Sequence, residues 1–144
     1  MRWRIVCAGK PKLDYARRGI DFYVERLRFS ARVETLAVKT GPRLPEALQK
    51  AGEGWFRIVL DERGEMLRSL ELARRISAWE LRGVSRAALI VGPAEGLPPA
   101  VRGSADWSWS LSPLTLQHEL ALLVALEQIY RAYTIKQGSS YHRE

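Results

Sequence analysis

The stretch Trp107-Ser-Trp-Ser-Leu-Ser-Pro-Leu-Thr-Leu-Gln117, with the helix it leads into, decides how the rest of the chain is arranged. Trp107, Trp109 and Leu111 alternate with Ser108, Ser110 and Ser112. That period of two predicts a strand with one apolar face and one hydroxyl face. Pro113 has no N–H to donate and ends the pairing. Leu114-Thr115-Leu116-Gln117 then continues as an apolar loop. Loops ordinarily run over the surface because their backbone groups need water. An apolar one needs a cover, whether packed protein, a partner subunit or a ligand. His118-Glu119 opens the strongest helix in the sequence, running from Gln117 to about Lys136. Leu120, Leu123, Leu126, Ile129, Tyr130 and Tyr133 cover one broad side of it, and Ala121, Ala125 and Ala132 cover another. Only Glu127, Gln128 and Arg131 make a polar sector, with Glu127 and Arg131 at i,i+4 spacing. A helix apolar nearly all round is buried on more than one side. In a chain of 144 residues the second side is expected to meet another subunit, so a homodimer is predicted.

Upstream, strands and helices alternate. Arg2–Ala8 is the first strand, with Trp3, Ile5 and Cys7 on one face, closed by Gly9-Lys10-Pro11-Lys12. Leu13 to Phe29 is an amphipathic helix with Ala16, Ile20, Val24 and Leu27 at helical spacing. Arg17, Arg18, Arg26 and Arg28 lie off that stripe, as a solvated face or as contacts to RNA phosphate. Val33–Val38 is a strand, Lys39–Pro45 a loop and Glu46–Lys50 a short helix. Trp55–Asp61 is a continuous apolar strand, expected where both sheet faces are covered. Glu62–Glu65 reads as a polar turn. Ser69 is a candidate N-cap for a helix that buries Leu72, Ile76 and Trp79. Ala87–Val91 is another buried strand. It runs into Gly92-Pro-Ala-Glu-Gly96 and a short helix or turn over Pro98–Gly103. The alternation implies one α/β domain over residues 1–144, a mostly parallel sheet with helices on both faces. Ligands of such sheets bind outside the carboxyl ends of the strands. Leu60-Asp61, Gly92–Gly96 and Leu111–Gln117 are the loops at those ends.

A net charge of +7 makes nucleic acid the leading partner class and an anionic membrane the second. Five tryptophans are many for this length, and some are expected at an interface. Cys7 is the only cysteine and sits in an apolar stretch, so it reads as a small core residue. With His118 and His142 the only histidines, no metal site is expected. The first residues are strand-like and resemble no export leader, and no apolar run reaches membrane-spanning length, so a cytoplasmic location is expected.

Taken singly, these motifs have unremarkable readings: a βα turn at Gly92–Gly96, a structural histidine at 118, a charged tail at 141–144. Together, Leu89-Ile-Val-Gly-Pro-Ala-Glu-Gly96, Trp109-Ser-Leu-Ser-Pro-Leu-Thr-Leu-Gln-His118, Glu127-Gln-Ile-Tyr-Arg-Ala-Tyr133 and Tyr141-His-Arg-Glu144 resemble one known family. It is the ribosomal RNA large-subunit methyltransferase H family (RlmH), of the SPOUT class. The resemblance spans essentially the whole chain, includes Gly9-Lys10, and is densest in the C-terminal third. It implies a C-terminal trefoil knot, an obligate homodimer and S-adenosylmethionine as methyl donor. The implied reaction is N3-methylation of a pseudouridine in helix 69 of 23S rRNA on the assembled ribosome. The implied cofactor contacts fall on Leu60, Gly92, Leu111, Ser112, Pro113, Leu114, Thr115 and Leu116. Two positions depart from the family pattern: Pro93 stands where a second glycine is usual, and Gln117 where proline is common. The loop Thr40–Pro45 is also short for the family.

Methyl transfer from a sulfonium is an in-line displacement, and holding the reactants together supplies roughly 7–11 kcal/mol. The pseudouridine imide must lose a proton, and a positioned base contributes about 10²–10⁴-fold. His142 is the candidate base, Arg143 the candidate for imide charge or phosphate, and Tyr141 the candidate for stacking on the base. Glu95 is a second candidate base. A tail that crosses to the partner would make the site composite. Two other readings share parts of the pattern: a non-catalytic basic α/β RNA-binding module, and a small flavodoxin-like nucleotide-binding domain.

Overall fold

A computed structural model of the chain describes residues 1–143. Five parallel strands lie in the order β2-β1-β4-β3-β5: β1 Arg2–Ala8, β2 Arg32–Val38, β3 Phe56–Glu65, β4 Arg86–Val91 and β5 Trp107–Trp109. The helices are α1 Asp14–Leu27, α2 Leu44–Ala51, α3 Ser69–Leu81, α4 Pro99–Gly103 and α5 His118–Lys136.

Strand alternation sorts the side chains into two cores. Trp3, Ile5, Ile58, Leu89, Trp107 and Trp109 pack with α1, α3 and α5 on one face. Val6, Val59, Ala88 and Ile90 pack with α2 and α4 on the other. β4, central in the sheet, is buried from Ala87 to Val91, as an apolar strand without alternation requires. The α1 stripe Ala16, Ile20, Val24 and Leu27 is buried as its spacing predicts. Burial of each large side chain stabilises the fold by about 1.5–3 kcal/mol. Trp3 meets its polar requirement too, donating its indole N–H to Tyr133 Oη at 2.9 Å. Burial pushes the Tyr133 hydroxyl up to about 12.

Several boundaries differ from the sequence reading. β5 ends at Trp109, not at Leu111, because the serine side chains turn the chain. Ser110 Oγ donates to Ser112 O, and Ser112 Oγ accepts the Leu114 N–H at 2.9 Å. Glu62–Glu65 is not a free turn: Leu60 and Glu65 both pair with Trp109, and residues 61–64 bulge between them. Ser69 is the first helical residue of α3 rather than its cap. Its hydroxyl donates to Gln128 Oε1 on α5, and Glu71 accepts the Arg68 N–H instead. α2 begins at Leu44, with Pro45 inside its first turn, where a missing N–H costs nothing. Cys7 is half-buried and packs against the first core, and burial plus the Glu119 carboxylate push its thiol up to about 11.

Candidate active site

β5 is an edge strand on the far side of β3, whereas α5 packs between α1 and α3. The segment Ser110–Gln117 therefore runs back across the carboxyl ends of β3 and β4. Beneath it lies a cavity of about 410 Å³, within the range of small-molecule sites. Leu60 and Asp61 from β3, Gly92 and Leu97 from the β4 loop, and Leu111, Ser112, Leu114, Thr115 and Leu116 from the crossing segment wall it. His118 and Ala121 of α5 close one side. A Cβ on Gly92 would come within 3.1–3.3 Å of Leu97, tighter than ordinary contact, so the turn is drawn close there. Pro113 is exposed on the same segment but turns away from the cavity wall, and Leu114 is 72% exposed.

Three supports fix the walls. Asp61, its side chain almost fully covered, accepts from Arg102 Nε of α4 at 2.7 Å. Glu65 accepts from Trp107 Nε1 at 2.8 Å and from both terminal nitrogens of Arg75 at 2.9 Å. Those hydrogen bonds, Arg75 first, hold the Glu65 carboxyl down at about 2. Glu119 is buried, and Oε1 accepts the backbone N–H groups of Lys12 and Leu13 at 2.9 and 2.8 Å. Leu13 is the N-cap of α1 and offers no side-chain acceptor, so a carboxylate on α5 caps α1 from outside. The Gly9–Lys12 loop is thereby tied to the start of α5, beside Gly92 and His118.

The tail folds elsewhere. Tyr141 Oη donates to Glu127 Oε2 at 2.8 Å and lies 3.4 Å from Tyr23 Oη. Its ring meets Tyr130 edge-on at 4.8 Å, and the Arg131 guanidinium sits over it at 4.9 Å. Burial and these neighbours push its hydroxyl upward. His142 is half-buried and Arg143 exposed, and none of the three lines the cavity of its own chain. Glu95 is exposed in the turn closed by Gly96 N–H to Pro93 O at 2.9 Å, also outside the cavity wall. Glu144 lies outside the described residues.

The sequence profile of the family described as "Predicted SPOUT methyltransferase" matches residues 1–142. The chain belongs to that family. It is 52% identical over 143 residues to the ribosomal RNA large subunit methyltransferase H of Thermus thermophilus, covering 99% of each chain. It is 42% identical over 145 residues to the protein of that name from Deinococcus radiodurans, again covering 99% of each. Among solved structures it superposes on a probable methylase family protein from Haemophilus influenzae with a TM-score of 0.61. That match has 10% identity and covers 99% of this chain and 70% of the other. A probable methyltransferase from Bordetella pertussis gives a TM-score of 0.59 at 15% identity, covering 92% and 93%. At such identities these two carry the fold alone.

For a SPOUT methyltransferase, the two departures in sequence fall at the cavity. Gln117 is the N-cap of α5, and its side-chain oxygen accepts the Glu119 and Leu120 N–H groups at 2.8 and 3.0 Å. Pro93 contributes its carbonyl to the turn, which asks nothing of its nitrogen. The residues that sequence reasoning passed over are those that brace the walls: Glu65, Arg75, Arg102 and Glu119. Glu65 and Glu119 were visible only as charges in a turn and at a helix start, and no spacing linked them to their partners. The arginines of α1 form ion pairs within the helix, Arg17 and Arg18 with Asp14 and Arg28 with Glu25, which favours the solvated-face reading.

Proposed function

We propose that this SPOUT methyltransferase is an S-adenosylmethionine-dependent enzyme that methylates 23S rRNA at N3 of a pseudouridine in helix 69, on the assembled ribosome in the cytoplasm. The observation that carries the reading is the cavity walled by Gly92 and the segment Leu111–Leu116, in a chain whose full-length relatives bear an rRNA methyltransferase name. The cavity fits the cofactor by character: leucine walls for an apolar or aromatic moiety, with backbone and hydroxyl groups of a bent loop for its polar edges. Leu60, Gly92, Leu111, Ser112, Leu114, Thr115 and Leu116 would hold it, with Pro113 stiffening the loop. S-adenosylmethionine supplies, when bound, a sulfonium methyl group for in-line transfer.

The chain's residues have the remaining work of binding RNA, orienting the base and taking its proton. His142 is the proposed base, Arg143 the group facing the developing imide charge or a phosphate, and Tyr141 the residue that positions the base. Because the tail does not line its own cavity, the proposed site is composite, with the tail serving the cavity of a partner. The half-buried side chains Leu120, Leu123 and Val124 of α5 leave apolar surface for a homodimer there. The crossing of Ser110–Gln117 over the strand ends, followed by return of α5 between α1 and α3, supports a trefoil knot.

The test is methyl transfer from labelled S-adenosylmethionine to ribosomes, with nucleoside mass spectrometry of the rRNA. N3-methylpseudouridine in helix 69 is expected. Methyl incorporation at any other nucleoside would overturn the assignment, and no binding of the cofactor by calorimetry would favour the non-catalytic RNA-binding module. His142→Ala is expected to lower single-turnover rate by about 10²–10⁴-fold and to flatten its dependence on pH. An unchanged pH–rate profile removes His142 from the base role.

A further inference from the structure

The end of the sheet opposite the cavity carries a row of arginines. Arg2 pairs in register with Arg32 on one side and with Arg86 on the other. The three therefore stand side by side on adjacent strands, about 4.8 Å apart. All three are exposed. Strand alternation places them on the face that bears Val6 and Ala88, where α2 packs. α2 is only 8 residues long and leaves the lower part of that face open.

Beneath the row lies Trp55, only 7% exposed, a member of the second core with guanidinium groups over its ring. Arg4 sits 4.2 Å from its ring centroid, Arg86 5.2 Å and Arg2 5.3 Å. Arg4 has a structural use, donating to Ala51 O at the end of α2. Arg86 is tethered to Gly54 O at 2.8 Å and Arg2 to Glu34 at 3.1 Å. Glu34, which also faces Arg4 at 3.6 Å, is the carboxylate that pairs with this group among the described residues. Arg2, Arg4 and Arg86 share one aromatic ring, and Arg32 extends their row. Such crowding of like charge is unfavourable by itself, and an anion relieves it. Stacking holds the guanidiniums in place before any ligand arrives, which lowers the entropy cost of binding.

We propose that Arg2, Arg32 and Arg86 form a phosphate-gripping row for RNA, outside the nucleotide that enters the cavity. The proposal rests on the rRNA-methyltransferase reading. Guanidinium groups match phosphate oxygens in paired hydrogen bonds, which suits a polynucleotide backbone. Arg86 in the row is six residues from Gly92 along β4, or roughly 20 Å at about 3.3 Å per residue. It therefore touches RNA beyond the modified nucleotide and contributes to ribosome affinity without touching the chemistry.

The test uses the full chain with Arg2, Arg32 and Arg86 all replaced by Gln, and intact ribosomes as substrate. Expected are a rise in KM for ribosomes of about tenfold or more, kcat within twofold, and unchanged affinity for S-adenosylmethionine by calorimetry. The slope of log affinity against log salt should fall by about 2–3, near 0.7–0.9 for each phosphate that is no longer neutralised. A second triple variant, Arg17, Arg18 and Arg28 to Gln, removes the same charge from α1 and should leave the salt slope near wild type. If the row variant keeps the wild-type KM and slope, or if the α1 variant matches its effect, the proposal is overturned. Should the triple variant fail to fold, Arg32→Glu on the edge strand is expected to raise KM at least threefold, and no change would overturn the proposal as well. If the wild type transfers no methyl group, it is the rRNA-methyltransferase reading that fails. Filter binding of wild type and variant to 23S rRNA then decides the row alone: equal binding overturns it.

Discussion

Gly64→Ala separates two opposed effects at the bulge that pins β5. Gly64 has no positive φ, so alanine fits its backbone conformation. With open space, the substitution would stabilise the protein by about 0.4–1 kcal/mol through the unfolded chain. The space is not open: an added Cβ would lie 2.5 Å from the Ser108 carbonyl carbon and oxygen and 2.7 Å from Trp109 N. These are backbone atoms, which cannot swing aside as a side chain does. Restoring a separation of about 3.5–4.0 Å requires the strands to part by roughly 1 Å. Such overpacking costs about 1–3 kcal/mol. The parting also strains the Ser110 N–H to Glu65 O bond, 2.9 Å long, whose rupture costs about 1 kcal/mol more. The net expectation is destabilisation by about 1–3 kcal/mol, a fall in Tm of roughly 3–9 °C for a chain of this size. Thermal unfolding followed by circular dichroism at fixed protein concentration measures it. The same shift moves the start of the Leu111–Leu116 wall, so affinity for S-adenosylmethionine by calorimetry should fall at least tenfold. A variant with raised Tm and wild-type cofactor affinity would refute both the close approach and its link to the cavity.

Glu119→Ala removes the outside cap of α1, and without its two charge-assisted bonds the chain should be less stable by about 2–4 kcal/mol. Glu119→Gln keeps an acceptor for the Lys12 and Leu13 N–H groups and should cost about 1 kcal/mol. Equal urea midpoints for the two variants would show that the carboxylate is no cap. The Glu65 carboxyl titrates near 2 in the folded chain, below its ordinary value of 4.5, so its contribution is complete above the ordinary value and is lost as pH falls toward 2. The wild type should therefore lose more Tm between pH 5 and pH 2.5 than Glu65→Gln does, and parallel curves would discount the Arg75–Trp107 anchor.

The elements with strict periodicity were legible in the sequence. The α1 stripe, the buried β4 and the parallel alternation follow from side-chain geometry alone, because each depends on residues close along the chain. The convergence of Leu60, Gly92 and Leu111–Leu116 was also legible, since strand carboxyl ends share one edge of the sheet. What failed to show was set by long-range partners. The fate of Glu62–Glu65 depended on Trp109, 44 positions beyond Glu65, and the role of Ser69 on Gln128, 59 positions away. Both segments carry good local turn or cap chemistry, and both were claimed by a distant element instead. The tail shows the same principle. Tyr141, the candidate for positioning the base, is held within its own chain to α5 through Glu127 and to α1 through Tyr23, contacts that no local spacing announced.

The two departures from the family pattern each supply a contact that shapes the loop. A proline before a helix removes an N–H and fixes φ. Gln117 does neither, but its side-chain oxygen satisfies two of the first free N–H groups of α5, those of Glu119 and Leu120. The helix start is held from the opposite side of the same problem: an acceptor supplied rather than a donor removed. Its amide nitrogen lies 3.2 Å from His118 Nδ1, so the same side chain also orients the ring that borders the cavity. At position 93 the chain needs a carbonyl to close the turn to Gly96, and proline provides one as well as glycine does. The conformational freedom is required three residues later, where Gly96 has φ +99°. Gln117 and Pro93 thus both hold the backbone path over the strand ends, and that path is what the cavity is made of.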